Sequence, residues 1–237
     1  MFIAKYLGLF ALLMMSSVAN AYKVQPMVAE ITPIGKGSQM TMRIDNTSQQ
    51  PLTVEFIPLS MSMDEMGNET TKPADNDLLV IPVTAIIPPG RSQSVMVRYL
   101  GNPSISQSQS YRIAVKQVKV ERADTDETAS IGVLMQFNTL LNVRPKNTNP
   151  AMKVERVEQK DGKWLVEITN DGKSYGRLSK TNWRITDHNQ SLFLPGSDIS
   201  KFLAGTLVLP KSKRIFVMQP PEGFDAQSTS IEIENID

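Results

Sequence analysis

Along most of this chain apolar residues recur at every second position, the period of a strand with one buried face. Residues 39–44 set Met40, Met42 and Ile44 against Thr41 and Arg43, and Leu52, Val54 and Phe56 alternate in the next apolar run. Residues 111–121 repeat the pattern, with Ile113 and Val115 against Arg112 and Lys116. Residues 24–31 predict a first, irregular strand and residues 92–100 another. Residues 78–87 are apolar but interrupted by Pro82, which places them near a sheet edge because proline has no N–H to give the ladder. Asp45-Asn46-Thr47-Ser48, Pro88-Pro89-Gly90 and the Ser/Gly/Asn/Pro segment 101–109 are turns or loops. The polar, methionine-punctuated residues 61–77 and the charged, small residues 121–130 also read as loops. About seven short strands with frequent turns and no helical period define an immunoglobulin-like sandwich.

The longest alternation is residues 131–145, IGVLMQFNTLLNVRP. Ile131, Val133, Met135, Phe137, Leu141 and Val143 make one face apolar, whereas the other begins Gly132, Leu134, Gln136, Asn138. Arg144-Pro145 closes the strand. It outruns a usual strand of about 5–6 residues. Two readings fit: a long strand packing its own core, or one whose alternating apolar residues are lent to another protein.

Residues 145–150 (PKNTNP) have the composition of a linker, and the strand pattern restarts after them. Residues 152–157, 163–169, 182–186, 206–209, 214–218 and 229–234 predict strands, with turns at Asp161-Gly162, Asn170-Asp171-Gly172 and residues 220–223. The chain therefore divides into residues 22–145, a linker at 146–150, and a smaller all-β domain at 151–237.

Residues 1–21 precede this pattern. They carry an early Lys5, an apolar run over 6–15 and small residues ending Ala19-Asn20-Ala21, the form of a secretory signal peptide with cleavage expected after Ala21. That run is shorter than the ~20 residues of a membrane span, and no later run is longer, so the mature chain is expected to be exported and not membrane-embedded. There is no cysteine, which excludes disulfides, a thiolate nucleophile and a cysteine zinc site. The formal net charge of +1 leaves no nucleic-acid footprint. The single histidine, His188, lies in the polar segment Asp187-His188-Asn189-Gln190, where a solvated side chain is the plain reading. Phosphate-cradling glycine loops and nucleophile-elbow motifs are absent. Glu121, Asp124, Asp126 and Glu127 lack the spacing of a calcium loop. The chain is thus expected to be no enzyme and to need no cofactor or metal.

Several motifs carry a resemblance. Asn46 follows the second strand, and residues 81–101 read IPVTAIIPPGRSQSVMVRYLG, with a Pro-Pro-Gly turn, Ser-Gln-Ser and Val97-Arg98. The long strand ends Val143-Arg144-Pro145, while Asn170 and Leu209-Pro210-Lys211-Ser212 recur in the second domain. In order and spacing these residues resemble the periplasmic pilus (fimbrial) assembly chaperones of the chaperone–usher family, over essentially the whole mature sequence. The resemblance implies two immunoglobulin-like β-sandwich domains in a boomerang arrangement. It implies a periplasmic chaperone for fimbrium biogenesis that holds pilus subunits by donor-strand complementation, lending strand 131–143, and passes them to an outer-membrane usher. Ile131, Val133, Met135 and Phe137 are then the donor candidates, and Arg144 is interdomain.

The chain departs from the family's pattern at the carboxylate anchor. Family members place a lysine four residues before the arginine of Arg-Pro, and an arginine in the first strand, to bind the subunit's C-terminal carboxylate. Here Leu140 stands at the lysine position, and the ionisable residue of the first strand is Glu30. Tyr111-Arg112-Ile113 resembles the Tyr-Arg-Val/Ile of the alternate and archaic branches. A hairpin turn centred near Asp126 would set residue 112 opposite residue 140, making Arg112 the anchor candidate, with Lys116 on the same face four residues on. The plain alternative is an exposed strand cation. Two other functions stay open: a structural or adhesive pilus component, which should show a short N-terminal donor extension, and a secreted enzyme on a sandwich scaffold.

Overall fold

The structure, a computed structural model, describes residues 22–118, 134–188 and 190–236. In the first domain the strands are β1 (Tyr22–Gln25), β2 (Val28–Ile31), β3 (Gln39–Asn46), β4 (Leu52–Met63), β5 (Glu69–Pro73), β6 (Leu78–Ile81), β7 (Thr84–Ile87), β8 (Ser92–Tyr99), β9 (Gln109–Gln117) and β10 (Gln136–Val143). One sheet runs β1-β3-β8-β6; the other runs β2-β10-β9-β4-β5, with β7 also on β4. The alternating residues meet between them, so Met42, Ile44, Val54, Phe56, Val95, Val97, Ile113 and Val115 form one core.

The irregular first strand is two strands in opposite sheets. β1 pairs antiparallel with β3, and β2 pairs parallel with β10. The change falls at Pro26, which cannot donate to a continuing ladder. Pro82 acts likewise: β6 joins β8 in one sheet and β7 joins β4 in the other. Residues 61–77, expected as a loop, are largely a hairpin, with β4 running to Met63 and β5 pairing back from Glu69 to Pro73. All five residues of β5 are exposed, so it has no apolar face to mark it as a strand. The loop expected at residues 121–130 lies outside the described residues.

The second domain comprises β11 (Met152–Lys160), β12 (Lys163–Asn170), β13 (Gly176–Arg177), β14 (Thr181–Asp187), β15 (Gln190–Leu194), β16 (Leu207–Val208), β17 (Ser212–Met218) and β18 (Ser230–Asn235). Its sheets run β11-β12-β17, β13-β16 and β15-β14-β18 around Trp164, Trp183, Ile185 and Phe216. The polar segment around exposed His188 is the turn of the β14–β15 hairpin.

Asn46 and Asn170 perform the same task in their two domains. Buried Asn46 donates through Nδ2 to Gln50 O (2.8 Å) and Ile87 O (2.9 Å), and its Oδ1 accepts from the Ser48 N–H. Buried Asn170 donates to Ser174 O (2.8 Å) and Leu209 O (3.1 Å) and accepts from the Ala151 N–H. Each satisfies turn carbonyls that the sandwich would otherwise bury unpaired.

Candidate functional site

β10 is paired with β9 along its whole length, from Gln136 opposite Lys116 to Val143 opposite Gln109. On its other side β2 covers only residues 140–143, and the Leu140 N–H reaches Met27 O (2.8 Å). Along residues 136–139 the second side of β10 is therefore an edge among the described residues. Such an edge has backbone donors and acceptors available to another strand.

Side chains alternate about this edge. Leu134, Gln136 and Asn138 are exposed, Leu134 to 54%. Thr139, Leu141 and Val143 are buried, whereas Met135 and Phe137 are half-buried against the core. Tyr22 explains their position: its ring meets Phe137 edge-on at 4.8 Å, and its one hydroxyl proton is shared between Val115 O and Met135 O (3.0 Å each). Burial pushes the Tyr22 hydroxyl up to about 12. From Met135 onward the described odd face packs against the domain's own core, half-buried at Met135 and Phe137 and fully buried from Thr139. Ile131 and Val133 lie outside the described residues. Nothing in the local pattern singled out Tyr22, whose role needs three strands brought together.

The register places Arg112 opposite Leu140, as the hairpin argument expected. Its guanidinium is not open, however. Nε donates to Glu69 Oε2 (3.0 Å) and Nη2 binds Glu69 Oε1, a two-point grip that leaves 17% of the Arg112 side chain exposed. Glu69 is on β5, the strand that the pattern concealed, so this partner was not legible in the sequence. Lys116 is exposed, between Glu55 of β4 and Gln136 of β10.

Leu140, where the resemblance led to an expected lysine, is buried with Met61 and Leu207, and Met63, Tyr175 and Leu209 pack around them. This small apolar cluster joins the domains. Beside it Tyr175 Oη donates to Glu30 Oε2 (2.7 Å), the Tyr175 N–H to Ser108 Oγ (2.7 Å), and the Ser108 N–H to Lys173 O (2.8 Å). Burial, then the Glu30 carboxylate, pushes the Tyr175 hydroxyl above the usual tyrosine range. Arg144 donates from Nε to Thr148 O (2.9 Å) and from Nη2 to Asn149 Oδ1 (3.0 Å), and its Nη1 lies 3.6 Å from Glu30. It thus ties the end of β10 to the linker and to Glu30 of β2.

Among the described residues no group of three or more His, Asp or Glu side chains is arranged to hold a metal, and no helix is long and apolar enough to cross a membrane. Among the described residues the geometry presents a half-paired strand edge next to a buried interdomain cluster.

The sequence matches no protein-family model and no curated protein. The fold, in contrast, is that of fimbrial periplasmic chaperones. The class 5 fimbriae chaperone CfaA superposes with a TM-score of 0.58 at 14% identity, over 90% of this chain and 99% of that one. The CsuC–CsuE chaperone–tip subunit pre-assembly complex of the archaic Csu pili of Acinetobacter baumannii gives 0.54 at 13% identity, over 83% and 89%. The Salmonella enterica complex of SafA pilin with the SafB chaperone gives 0.55 at 14%, over 84% and 85%.

Proposed function

We propose that this chain is a periplasmic chaperone of the chaperone–usher type, a binding protein without catalytic chemistry, that captures pilus subunits by strand addition and delivers them to an outer-membrane usher. The observation that supports this reading best is the edge of β10 at residues 136–139, lying in the fold of CfaA and SafB. A subunit that lacks a strand exposes an apolar groove between two unpaired strand edges, which is an aggregation hazard. A donor strand bonds those edges and fills the groove at once. Ile131, Val133 and Met135 are the groove-filling residues in this reading. Phe137, held under Tyr22, marks where the alternating face turns from partner to core. Residues 1–21 direct export to the periplasm.

The subunit's carboxylate has two cations to find, Arg112 and Lys116. Binding at Arg112 requires exchange with Glu69. Co-expression with a pilus subunit tests the whole reading. The mature chain should be recovered in a one-to-one complex, and the subunit should aggregate or be degraded without it. A subunit that folds and is secreted equally well alone overturns the proposal.

A further inference from the structure

The turn of the β4–β5 hairpin leaves its own domain and touches the second. Its shape is fixed locally: the Asp64 N–H donates to Asn68 O (3.0 Å), while the Asn68 N–H and Nδ2 donate to the Asp64 carboxylate (2.8 Å each). β17 is the outer strand of its sheet, and the Ile215 N–H donates across the domain boundary to Glu65 O (2.7 Å). Lys213 Nζ lies 3.4 Å from the Glu65 carboxylate. Between these contacts lies Arg214, its guanidinium 4.5 Å over the Phe216 ring and its Nη1 donating to Leu207 O (2.7 Å). Two glycines make room for it. Gly67 of the hairpin (φ 88°) and Gly205 of the second domain (φ 73°) have left-handed backbones, and a Cβ at either would overlap Nη2. Burial holds the Arg214 guanidinium below the usual arginine range, against the opposing pull of the Glu69 and Asp64 carboxylates, and Glu69 also grips Arg112 on β9.

We propose that the tip of this hairpin is a strut that sets the angle between the two domains, and that Arg214 is its positioning residue. The linker, Arg144, the Leu140 cluster and the Tyr175 and Ser108 hydrogen bonds already join the domains. The hairpin tip extends that contact from Met61 and Met63 of β4 to the edge strand β17, and this extension restricts the rotation the rest allows. Through Glu69 the strut also bears on Arg112, directly opposite β10. The inference concerns the shape of the free chain and stands apart from the identity of any partner.

The absence of cysteine allows unique spin labels at exposed Ser94 (Ser94→Cys) and Ser200 (Ser200→Cys). Pulsed electron–electron resonance on the mature chain should give one narrow interdomain distance. Arg214→Ala and Gly67→Ala should each broaden it about two-fold or more, with Arg214→Lys in between and circular dichroism unchanged. If Arg214→Ala unfolds the second domain, Gly67→Ala decides, because it leaves that domain's sequence intact. A broad distribution in the unaltered chain, or a Gly67→Ala distribution as narrow as the parent's, overturns the strut.

Discussion

Arg112 and Glu69 show how much one neighbour changes the meaning of a residue. Alone, an arginine opposite the vacant lysine position is a carboxylate site. With Glu69 bound at two points it is half of an internal ion pair, and a partner carboxylate must compete for it. The two substitutions separate these roles. If a subunit carboxylate is exchanged onto Arg112, Arg112→Ala weakens capture by about 1.5–3 kcal/mol, the worth of a charged hydrogen-bonded contact. Glu69→Gln, which frees the guanidinium, then tightens capture. Titration calorimetry with a subunit checks both, and no change in either variant removes Arg112 from the anchor.

At the scale of the element, β10 changes its use along its length. Met135 and Phe137 both rest half-buried on the core, but only Phe137 also packs under the Tyr22 ring. Met135→Asp should therefore leave the domain folded and weaken capture, since a carboxylate in an apolar groove costs several kcal/mol (about 2–7 for an unpaired polar group). Phe137→Asp should instead lower the melting temperature of the first domain before capture is considered. A thermal melt beside a pull-down reads both, and an unfolded Met135→Asp would remove that residue from the donor face. Tyr22 adds a dependence on pH. An unfolded tyrosine ionises near 10, and in the fold Tyr22 is raised to about 12, so the folded state holds the proton more tightly. Its contribution is complete below pH ~10 and is lost as pH rises through ~12. Tyr99, Tyr111 and Tyr175 are shifted in the same direction. Tyr22→Phe should thus cost about 0.5–1.5 kcal/mol at neutral pH, for the one hydroxyl proton shared between two carbonyls, and flatten only its share of the alkaline loss. Urea unfolding between pH 8 and 12 measures it.

Across the whole molecule, Leu140 replaces a possible charge with an interdomain contact. Buried at 7% exposure among Met61 and Leu207, it makes the position part of the joint. Leu140→Lys is the informative change. It places an ammonium in an apolar cluster, at a cost of several kcal/mol unless the group neutralises. We expect it to loosen the domains, splitting one thermal transition into two, without strengthening capture. Tighter capture with a single unchanged transition would show that the joint opens to let the lysine reach the cleft.

The alternation of apolar residues by itself determined the all-β class and most strands of both cores, because a buried face leaves its period in the sequence. The register of Arg112 against Leu140 was legible for the same reason, since a hairpin converts spacing into pairing. The solvent-exposed β5 left no such period. With it went Glu69, the ion pair that occupies Arg112, and the hairpin tip resting on Arg214. Tyr22, Tyr175 and Glu30 likewise acquire their roles only when strands distant in the chain come together. Burial is a one-dimensional pattern that a strand carries alone. The choice of partner for a charge or hydroxyl is made across space, and only the tertiary structure decided it.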